Sequence, residues 1–147
     1  FAVHNILFII NPHPRTKGID FQEKSHVKNF AGKIEDVQEF LVHIDLLITD
    51  YSSSFFDYML MDKPYILYCY DYDEYMEYRG MYYDYYTEMV GPYARDEQQL
   101  YDLVTSVDQR SSQPKYQESY KDLKNRIHTH QDANASQRLY DFILIKI

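Results

Sequence analysis

The sequence predicts an α/β fold in which a parallel sheet is flanked by helices. Short apolar runs alternate with helix-forming segments, and this order is typical of parallel sheets covered on both faces. Two of the runs are apolar throughout, as expected for strands buried on both faces. The chain has 147 residues, 45% of them apolar and 26% charged, which suits one globular domain with a full core.

Four apolar runs are the predicted strands, of which the second is the weakest. They span Asn5–Ile10, Val27–Phe30, Leu46–Thr49 and Tyr65–Tyr70. The first run is followed by Asn11-Pro12-His13-Pro14-Arg15, which is predicted to be a loop because prolines cannot continue a strand ladder. Pro64 leads into the fourth strand, and Gly91-Pro92 predicts a turn.

Six segments are the predicted helices, and Asp50–Ser54 supplies the residues that favour the start of the second. They are Glu35–His43, Phe55–Met61, Tyr72–Tyr78, Glu97–Val107, Tyr116–His128 and Ala133–Ile145. The first and fourth have apolar residues at helical spacing. The residues expected to point inward are Val37, Phe40, Leu41 and Ile44 in the first, and Leu100, Leu103, Val104 and Val107 in the fourth.

Composition and charge exclude several classes of function. The formal net charge of −8, with no basic stripe to offset it, argues against a nucleic-acid partner. The single cysteine, Cys69, lies in an apolar run, which favours a buried and inert thiol. The histidines have no metal-binding spacing, so no metal is expected. The four glycines form neither a Walker loop nor a GxGxxG fingerprint, and no cofactor is predicted.

The segment Asp50–Asp57 follows the third predicted strand, at the end where parallel sheets bind ligands. The hydroxyls of Ser52 and Ser53, with free N–H groups of the first helical turn, are suited to holding a phosphate. The alternative is that a serine only caps its own helix.

Two carboxylates of this segment are expected to support it. We expect Asp50 to fix the loop by accepting local N–H bonds, the alternative being a ribose or glycerol hydroxyl as the donor. Asp57 lies about one turn into the helix and either contacts a neighbouring basic group or is an exposed charge.

His13 and Arg15 lie in the loop after the first strand. A histidine held between prolines is a candidate phosphate donor, or general acid for a leaving phosphate, although lone histidines are more often without such a role. The guanidinium of Arg15 matches a phosphate in a fork and strengthens the case for an anion site.

Arg79 and Ser136 are candidates from two later segments. Arg79 precedes Gly80, which permits positive φ or a close backbone approach, and could neutralise a pyrophosphate. A surface ion pair is the alternative. Ser136 and Arg138 open the last predicted helix and could contact an anion, whereas capping by Asp132 is the competing interpretation.

Seventeen tyrosines are present, and many lie between Tyr65 and Tyr86. Such a stretch can form a stacking surface for bases or sugars. We favour the simpler interpretation, in which the rings pack together.

Several of these motifs, in this order, resemble the carboxyl-terminal half of the CDP-glycerol glycerophosphotransferases, the polymerases and primases of teichoic-acid synthesis. The residues that carry the resemblance are Leu47-Ile48-Thr49-Asp50-Tyr51-Ser52-Ser53, Phe56-Asp57-Tyr58, Lys63-Pro64, Tyr70-Asp71, Tyr75, Arg79-Gly80, Tyr82 and Gly91-Pro92. The His13-Pro14 turn and the Asp132 to Arg138 segment are similar to further landmarks. One departure is Asp132-Ala133, where the family usually has Asp-Gly.

The resemblance implies a GT-B architecture, with residues 1–147 as the Rossmann-like donor domain and an absent amino-terminal acceptor domain. It implies that His13, Ser52, Ser53, Arg79 and Asp57 lie at the pyrophosphate of CDP-glycerol, and that CMP leaves without help from a metal. The isolated chain is then expected to bind donor and turn over poorly. A lipid-linked acceptor and a peripheral place on the cytoplasmic face of the membrane are expected for the full-length protein.

Three alternatives remain open on the sequence. The donor could be CDP-ribitol, because the polyol pocket is shared with the absent half. The chain could be a non-catalytic nucleotide-binding module. It could also belong to a GT-B enzyme that uses a UDP-sugar, although the Tyr-Ser-Ser run followed by Phe-Phe-Asp favours the teichoic-acid family.

Overall fold

The computed structural model describes residues 5–13, 16, 22–106 and 114–145. In chain order these residues form β1 (Phe8–Ile10), β2 (Val27–Asn29), α1 (Val37–Leu41), β3 (Leu47–Thr49), α2 (Ser54–Met59), β4 (Tyr65–Tyr68), α3 (Tyr72–Tyr78), α4 (Tyr85–Glu88), β5 (Tyr93–Ala94), α5 (Glu97–Thr105), α6 (Pro114–Ile127) and α7 (Ala135–Ile145). All pairings between these strands are parallel, so the predicted α/β class is confirmed.

The described strands form two parallel sheets, where the sequence predicted one. β1 pairs with β2, and β4 lies between β3 and β5. Ile48 is opposite Ile66 in the second sheet, and Leu67 is opposite Tyr93. Apolar packing connects the sheets, because Ile6 contacts the same core cluster as Ile48 and Ile66.

β4 is the centre of the core. Tyr65 and Leu67 face one apolar cluster, which contains Tyr58 and Met59 of α2, whereas Ile66 faces the other cluster. Successive side chains of a strand point to opposite faces, so a strand with both faces covered must be apolar at every position. Burial of both faces, as predicted, therefore explains the continuous apolar run at β4.

Two elements were missed by the sequence analysis, β5 and α4. A strand of two residues and a helix of four are too short to show a period. The signal for α4 is a cap, since Oδ1 of Asp84 accepts from the backbone N of Thr87 at 3.0 Å.

Several predicted helix bounds differ by one or two residues from those of the structure, and two of the differences have a local cause. Val37 is exposed instead of inward, because it is the first helical residue after the Asp36 cap. α7 begins two residues later than predicted, because Oδ1 of Asp132 accepts from the N–H of Asn134 in a turn before the helix. Val107 lies outside the described residues.

Helix α6 is fixed to α2 and to the turn after it by three polar side chains on one face. Tyr120 donates to the carbonyl of Met59 at 2.7 Å, and Nε2 of His128 donates to the carbonyl of Phe56 at 2.8 Å. Between them, Nζ of Lys124 contacts both carboxylate oxygens of Asp62, at 2.7 and 2.8 Å. None of the helices within the described ranges is long and apolar enough to cross a membrane.

Candidate functional site

The carboxyl ends of β3, β4 and β5 meet at one edge of the second sheet, because these strands are parallel. The segment 50–53 follows β3, Cys69 to Asp71 follow β4, and Arg95 follows β5. Ligands bind at this edge in open α/β folds. We therefore take these three segments as the candidate site.

The loop after β3 is fixed by hydrogen bonds to Asp50. Oδ1 of Asp50 accepts from the backbone N–H of Ser52 at 3.2 Å, which confirms the predicted loop-fixing bond. The carbonyl of Asp50 accepts from the hydroxyl of Tyr85 at 2.8 Å. The loop is thus held both by its own side chain and by a distant helix.

The two serines of this loop are both exposed, and they differ in their contacts. Ser53 is the N-cap of α2, yet its side chain makes no capping hydrogen bond. The hydroxyl of Ser52 lies 2.9 Å from that of Ser54 and also accepts from the backbone N–H of Ser54, the first residue of α2, at 3.4 Å, as the capping alternative predicted. The capping alternative therefore does not account for the Ser53 hydroxyl, which is free to contact a ligand.

Tyr51 connects this loop to the segment after β4. Its hydroxyl donates to Oδ1 of Asp71 at 3.1 Å, and its ring centroid lies 4.1 Å from that of Tyr75. Burial raises the pKa of Tyr51, and the nearby Asp71 carboxylate raises it further. The phenol therefore stays protonated at neutral pH and acts as a donor.

A cavity of about 600 Å³ opens beside the carboxyl ends of β4 and β5. Its lining residues are Cys69, Tyr70, Asp71, Tyr72, Asp73, Glu74, Tyr86 and Arg95. This volume is within the range of small-molecule sites, roughly 300–1,000 Å³. Cys69 is buried, and burial raises the pKa of its thiol to about 11, so the expectation of a buried thiol is confirmed.

Arg95 was missed by the sequence analysis. Its guanidinium lies over the ring of Tyr86, 4.7 Å from the centroid, and forms no ion pair with a carboxylate of the described residues. The signal in the sequence was a basic residue directly after Tyr93-Ala94. It indicates a ligand-binding position only if Tyr93-Ala94 is known to be a strand of the sheet.

The tyrosines of this region mainly pack together, as the simpler interpretation predicted. Tyr72 and Tyr86 have centroids 4.6 Å apart, and Tyr86 and Tyr93 are 5.0 Å apart. Several hydroxyls donate to backbone carbonyls, among them that of Tyr93 to Met89 at 2.6 Å. Their rings therefore build the walls of the site.

His13 follows β1, which belongs to the other sheet, and its carbonyl accepts from the N–H of Thr16 at 2.8 Å. The strand pairing that brings β3, β4 and β5 together therefore does not place His13 at the same sheet edge. Arg15 lies outside the described residues. The roles of both stay predictions.

Arg79 ends α3, and Gly80 follows it at a φ of 66°. This is the left-handed region that glycine favours, and the N–H of Gly80 caps the helix by donating to the carbonyl of Tyr75 at 3.2 Å. Arg79 is exposed, and it makes none of the surface ion pairs found among the described residues. The surface ion pair that was the alternative interpretation of Arg79 is therefore not found among the described residues.

Asp57 and Ser136, the two remaining candidates, lie on α2 and α7. Asp57 does not contact a basic group of the described residues, and its Oδ2 accepts from Nε2 of Gln38 on α1 at 3.5 Å. Ser136 is exposed on α7. Nearby, Asp132 accepts from Nη1 of Arg138 at 2.6 Å, and this bond lowers the pKa of the Asp132 carboxyl. Arg138 is thus engaged locally.

No group of three or more potential metal ligands of the His, Cys, Asp and Glu types comes together in the described ranges.

A family model described as CDP-Glycerol:Poly(glycerophosphate) glycerophosphotransferase matches residues 2–145. The chain belongs to this family. The predicted resemblance is thereby confirmed, and its match extends over nearly all of the sequence.

The chain covers a minor part of the length of the relatives that it matches. The teichoic acid poly(ribitol-phosphate) polymerase of Bacillus spizizenii is 32% identical over 142 residues, which are 94% of this chain and 21% of the relative. The teichoic acid glycerol-phosphate transferase of Staphylococcus aureus is 35% identical over 106 residues, or 71% of this chain and 27% of the relative. The chain thus spans about a fifth to a quarter of these proteins.

Solved structures of the wall teichoic acid polymerase TagF have the same fold. One is 30% identical with a TM-score of 0.66, covering 82% of this chain and 29% of TagF. A TagF variant soaked with CDPG gives the same identity and TM-score. The predicted fold class, a Rossmann-like α/β domain of the GT-B type, is confirmed.

Proposed function

We propose that this chain forms the donor site of an enzyme that transfers glycerol phosphate from CDP-glycerol to a growing teichoic-acid-type or capsular polymer. CMP is the second product. The observation that carries this proposal is the exposed Ser52-Ser53 pair at the carboxyl end of β3, fixed through Asp50, in a chain that matches the family model from residue 2 to 145.

In this proposal the donor pyrophosphate is held by hydroxyls and cations. Ser52 and Ser53 donate from the β3 loop, and Arg79 supplies a cation that no described carboxylate neutralises. The further donors proposed are Arg15 and Ser136. Asp50 keeps the loop in place, and Asp57 supports the start of α2 through its contact with α1.

His13 is the proposed catalytic residue. An acceptor hydroxyl forms a bond to the β-phosphorus of the donor, and the bond from that phosphorus to the bridging oxygen breaks. The electron pair goes to CMP, whose leaving phosphate is protonated by His13 or accepts its hydrogen bond. The proton of the acceptor hydroxyl goes to a base outside this chain. Positioning and charge neutralisation supply most of the rate in such transfers.

A CDP-ribitol donor is the second candidate. It is favoured by the similarity to a poly(ribitol-phosphate) polymerase, which covers 94% of this chain. Both donors share the cytidine and pyrophosphate groups, so the Ser52-Ser53 loop would serve either of them.

We also propose a lipid-linked acceptor and a peripheral position on the inner face of the cell membrane for the full-length enzyme. The support is membership of a family whose relatives are named for teichoic-acid synthesis. In this proposal, both features belong to the part of the relatives' length that this chain does not cover.

Release of CMP from CDP-glycerol by the full-length protein tests the catalytic part of this proposal. We expect His13→Ala to lower kcat by about a hundredfold or more, as for loss of a general acid, with a small change in KM. His130→Ala is the matched control, because His130 is exposed beyond the end of α6. Equal kcat values for His13→Ala and the control would contradict the role of His13.

A further inference from the structure

Helix α4, which has four residues, is attached at both of its ends. At the start, Oδ1 of Asp84 accepts from the backbone N–H of Thr87 at 3.0 Å. At the end, Nη2 of Arg126 lies 2.8 Å from Oε2 of Glu88 and donates to the carbonyl of the same residue at 3.4 Å. Since Arg126 belongs to α6, the position of α4 is set by that helix as well as by its own cap.

Tyr85, the first residue of α4, holds the loop that follows β3. It is buried, and its hydroxyl donates to the carbonyl of Asp50 at 2.8 Å. Burial raises the pKa of this phenol, so the hydroxyl stays protonated and remains a donor. The N–H groups of the first turn of α2 bond to the carbonyls of Ser52 and Ser53. The carbonyl of Asp50 is therefore held from α4, and the bond to Tyr85 is separate from the backbone bonds of α2.

The ring of Tyr85 contacts the next residue of the loop. Its centroid lies 5.3 Å from that of Tyr51, with the rings edge to face at 74°, a geometry that aromatic pairs favour. The carbonyl of Asp50 and the N–H of Tyr51 belong to one planar peptide unit. Tyr85 thus fixes this unit through its hydroxyl and the side chain after it through its ring. Ser52 and Ser53 follow directly in the sequence.

We propose that Tyr85 is a positioning residue for the donor. By fixing the peptide unit that precedes Ser52, it sets where the two serine hydroxyls of the loop meet a phosphate. This inference rests on the proposed donor function and adds a residue from a distant helix to it. With 3% of its surface exposed, Tyr85 acts through the loop and does not itself contact the ligand. Donors that are held in place beforehand bind more tightly, because little conformational entropy is lost when the ligand arrives.

Removal of the Tyr85 hydroxyl tests this role, and the fold offers a matched control. Tyr120 makes the same kind of bond, from its hydroxyl to the carbonyl of Met59 at 2.7 Å. In calorimetric titrations of the 147-residue chain with CDP-glycerol, we expect Tyr85→Phe to raise Kd about fivefold and Tyr120→Phe to leave it unchanged. Urea unfolding should show a similar loss of stability in both variants, since each loses one hydrogen bond to a backbone carbonyl.

Two further measurements separate positioning from a general loss of structure. Phenylalanine keeps the ring contact with Tyr51, so a shift of the Tyr51 and Ser52 amide resonances in unliganded Tyr85→Phe reports the loss of the bond to Asp50. We expect this shift to be absent in Tyr120→Phe. Replacement of Tyr85 by 4-aminophenylalanine, which keeps a donor at the same place, should bring Kd to within about twofold of the wild-type value.

Three results would overturn the inference, and they differ in what they say of the donor site. Wild-type Kd in Tyr85→Phe, together with weaker binding after Ser52→Ala, would remove the positioning role and keep the proposed function. An equal rise of Kd in Tyr85→Phe and Tyr120→Phe would also remove the role, because a general loss of structure would then explain the effect. No binding of CDP-glycerol by the unaltered chain would remove the proposed function together with the role.

Discussion

Asp50, Tyr51 and Ser52 are consecutive residues that serve three different purposes at the end of β3. The carboxylate of Asp50 shapes the loop, the phenol of Tyr51 reaches Asp71, and the hydroxyl of Ser52 remains on the exposed side. A strand ending turns successive side chains in different directions, so one short segment can be anchored and still present donors. The conformation of this loop is thus set by the residues beside the proposed phosphate donors.

Replacement of Asp50 tests the importance of the loop. Alanine removes the acceptor for the Ser52 N–H, whereas asparagine keeps one. We expect Asp50→Ala to weaken CDP-glycerol binding about tenfold and Asp50→Asn to weaken it about threefold or less, measured by calorimetry. Equal, unchanged Kd values in both variants would show that the loop does not depend on this bond.

The buried thiol of Cys69 predicts a pH dependence of stability. Its pKa is raised from an ordinary value near 9 to about 11 in the folded chain, because burial disfavours the thiolate. The resulting stabilisation is fully present below pH 9 and is lost as the pH rises through 11. Between pH 8 and 11 the free energy of unfolding should therefore fall by about 2 kcal/mol more in the wild type than in Cys69→Ala.

Urea unfolding at several pH values measures this difference. The comparison with Cys69→Ala removes most of the contribution of the buried tyrosines, because burial is the main cause of their raised pKa values in both proteins. Parallel pH profiles for the two proteins would contradict the assignment of a raised pKa to Cys69.

At the scale of elements, the contact between α6 and α2 determines how α2 is held. Tyr120, Lys124 and His128 are spaced four residues apart, so they lie on one side of α6. They contact the carbonyls of Met59 and Phe56 in α2 and the carboxylate of Asp62 after it. α6 thus holds α2 along its length, while the Ser52-Ser53 loop precedes the first residue of that helix.

Replacing either partner of the ion pair between Lys124 and Asp62 should lower the free energy of unfolding, but by different amounts. Lys124 is buried, so a neutral partner leaves its charge without compensation, whereas Asp62 is largely exposed. We expect Asp62→Asn, which tolerates the positive φ of this position, to cost about 1–2 kcal/mol, and Lys124→Met to cost less. Lys121→Met, at an exposed site on the same helix, is the control for chemical denaturation.

Gly91 is required by its close approach to β4. A Cβ atom there would lie 2.5 Å from Cε2 of the Tyr65 ring, and that ring is buried in the core. Gly91→Ala should therefore lower the free energy of unfolding by about 2 kcal/mol through overpacking. Gly32→Ala is the control, since a Cβ meets nothing there and the cost, about 1 kcal/mol, comes from its φ of 67°. An equal or larger loss at Gly32 would contradict the packing argument.

Sequence reasoning succeeded where a pattern is local and failed where distant segments meet. β4 was predictable because a strand covered on both faces must be apolar at each position, and Asp50 because its acceptor serves a residue two positions away. Arg95 was missed, since its place in the cavity depends on β5 pairing with β4. The split into two sheets was missed for the same reason: pairing between strands has no signature within either strand.

At the scale of the whole molecule, the chain corresponds to a minor part of the proteins that it matches. It matches its family over nearly its full length but spans 29% of TagF. The described residues provide a sheet edge with a hydroxyl-rich loop and a cavity, which suits binding of one substrate. A base for the acceptor hydroxyl would come from outside the chain. The isolated chain is therefore expected to bind donor with little turnover.

The most direct test of the central claim is the affinity of the unaltered chain for CDP-glycerol, CDP-ribitol, CMP and UDP-glucose, measured by calorimetry. The proposal predicts binding of the cytidine ligands in preference to UDP-glucose, weakened about tenfold or more in Ser52→Ala/Ser53→Ala and in Arg79→Ala, and unchanged in the exposed control Ser119→Ala. No preference for cytidine at millimolar ligand, or equal binding by the serine variant and the control, would contradict it.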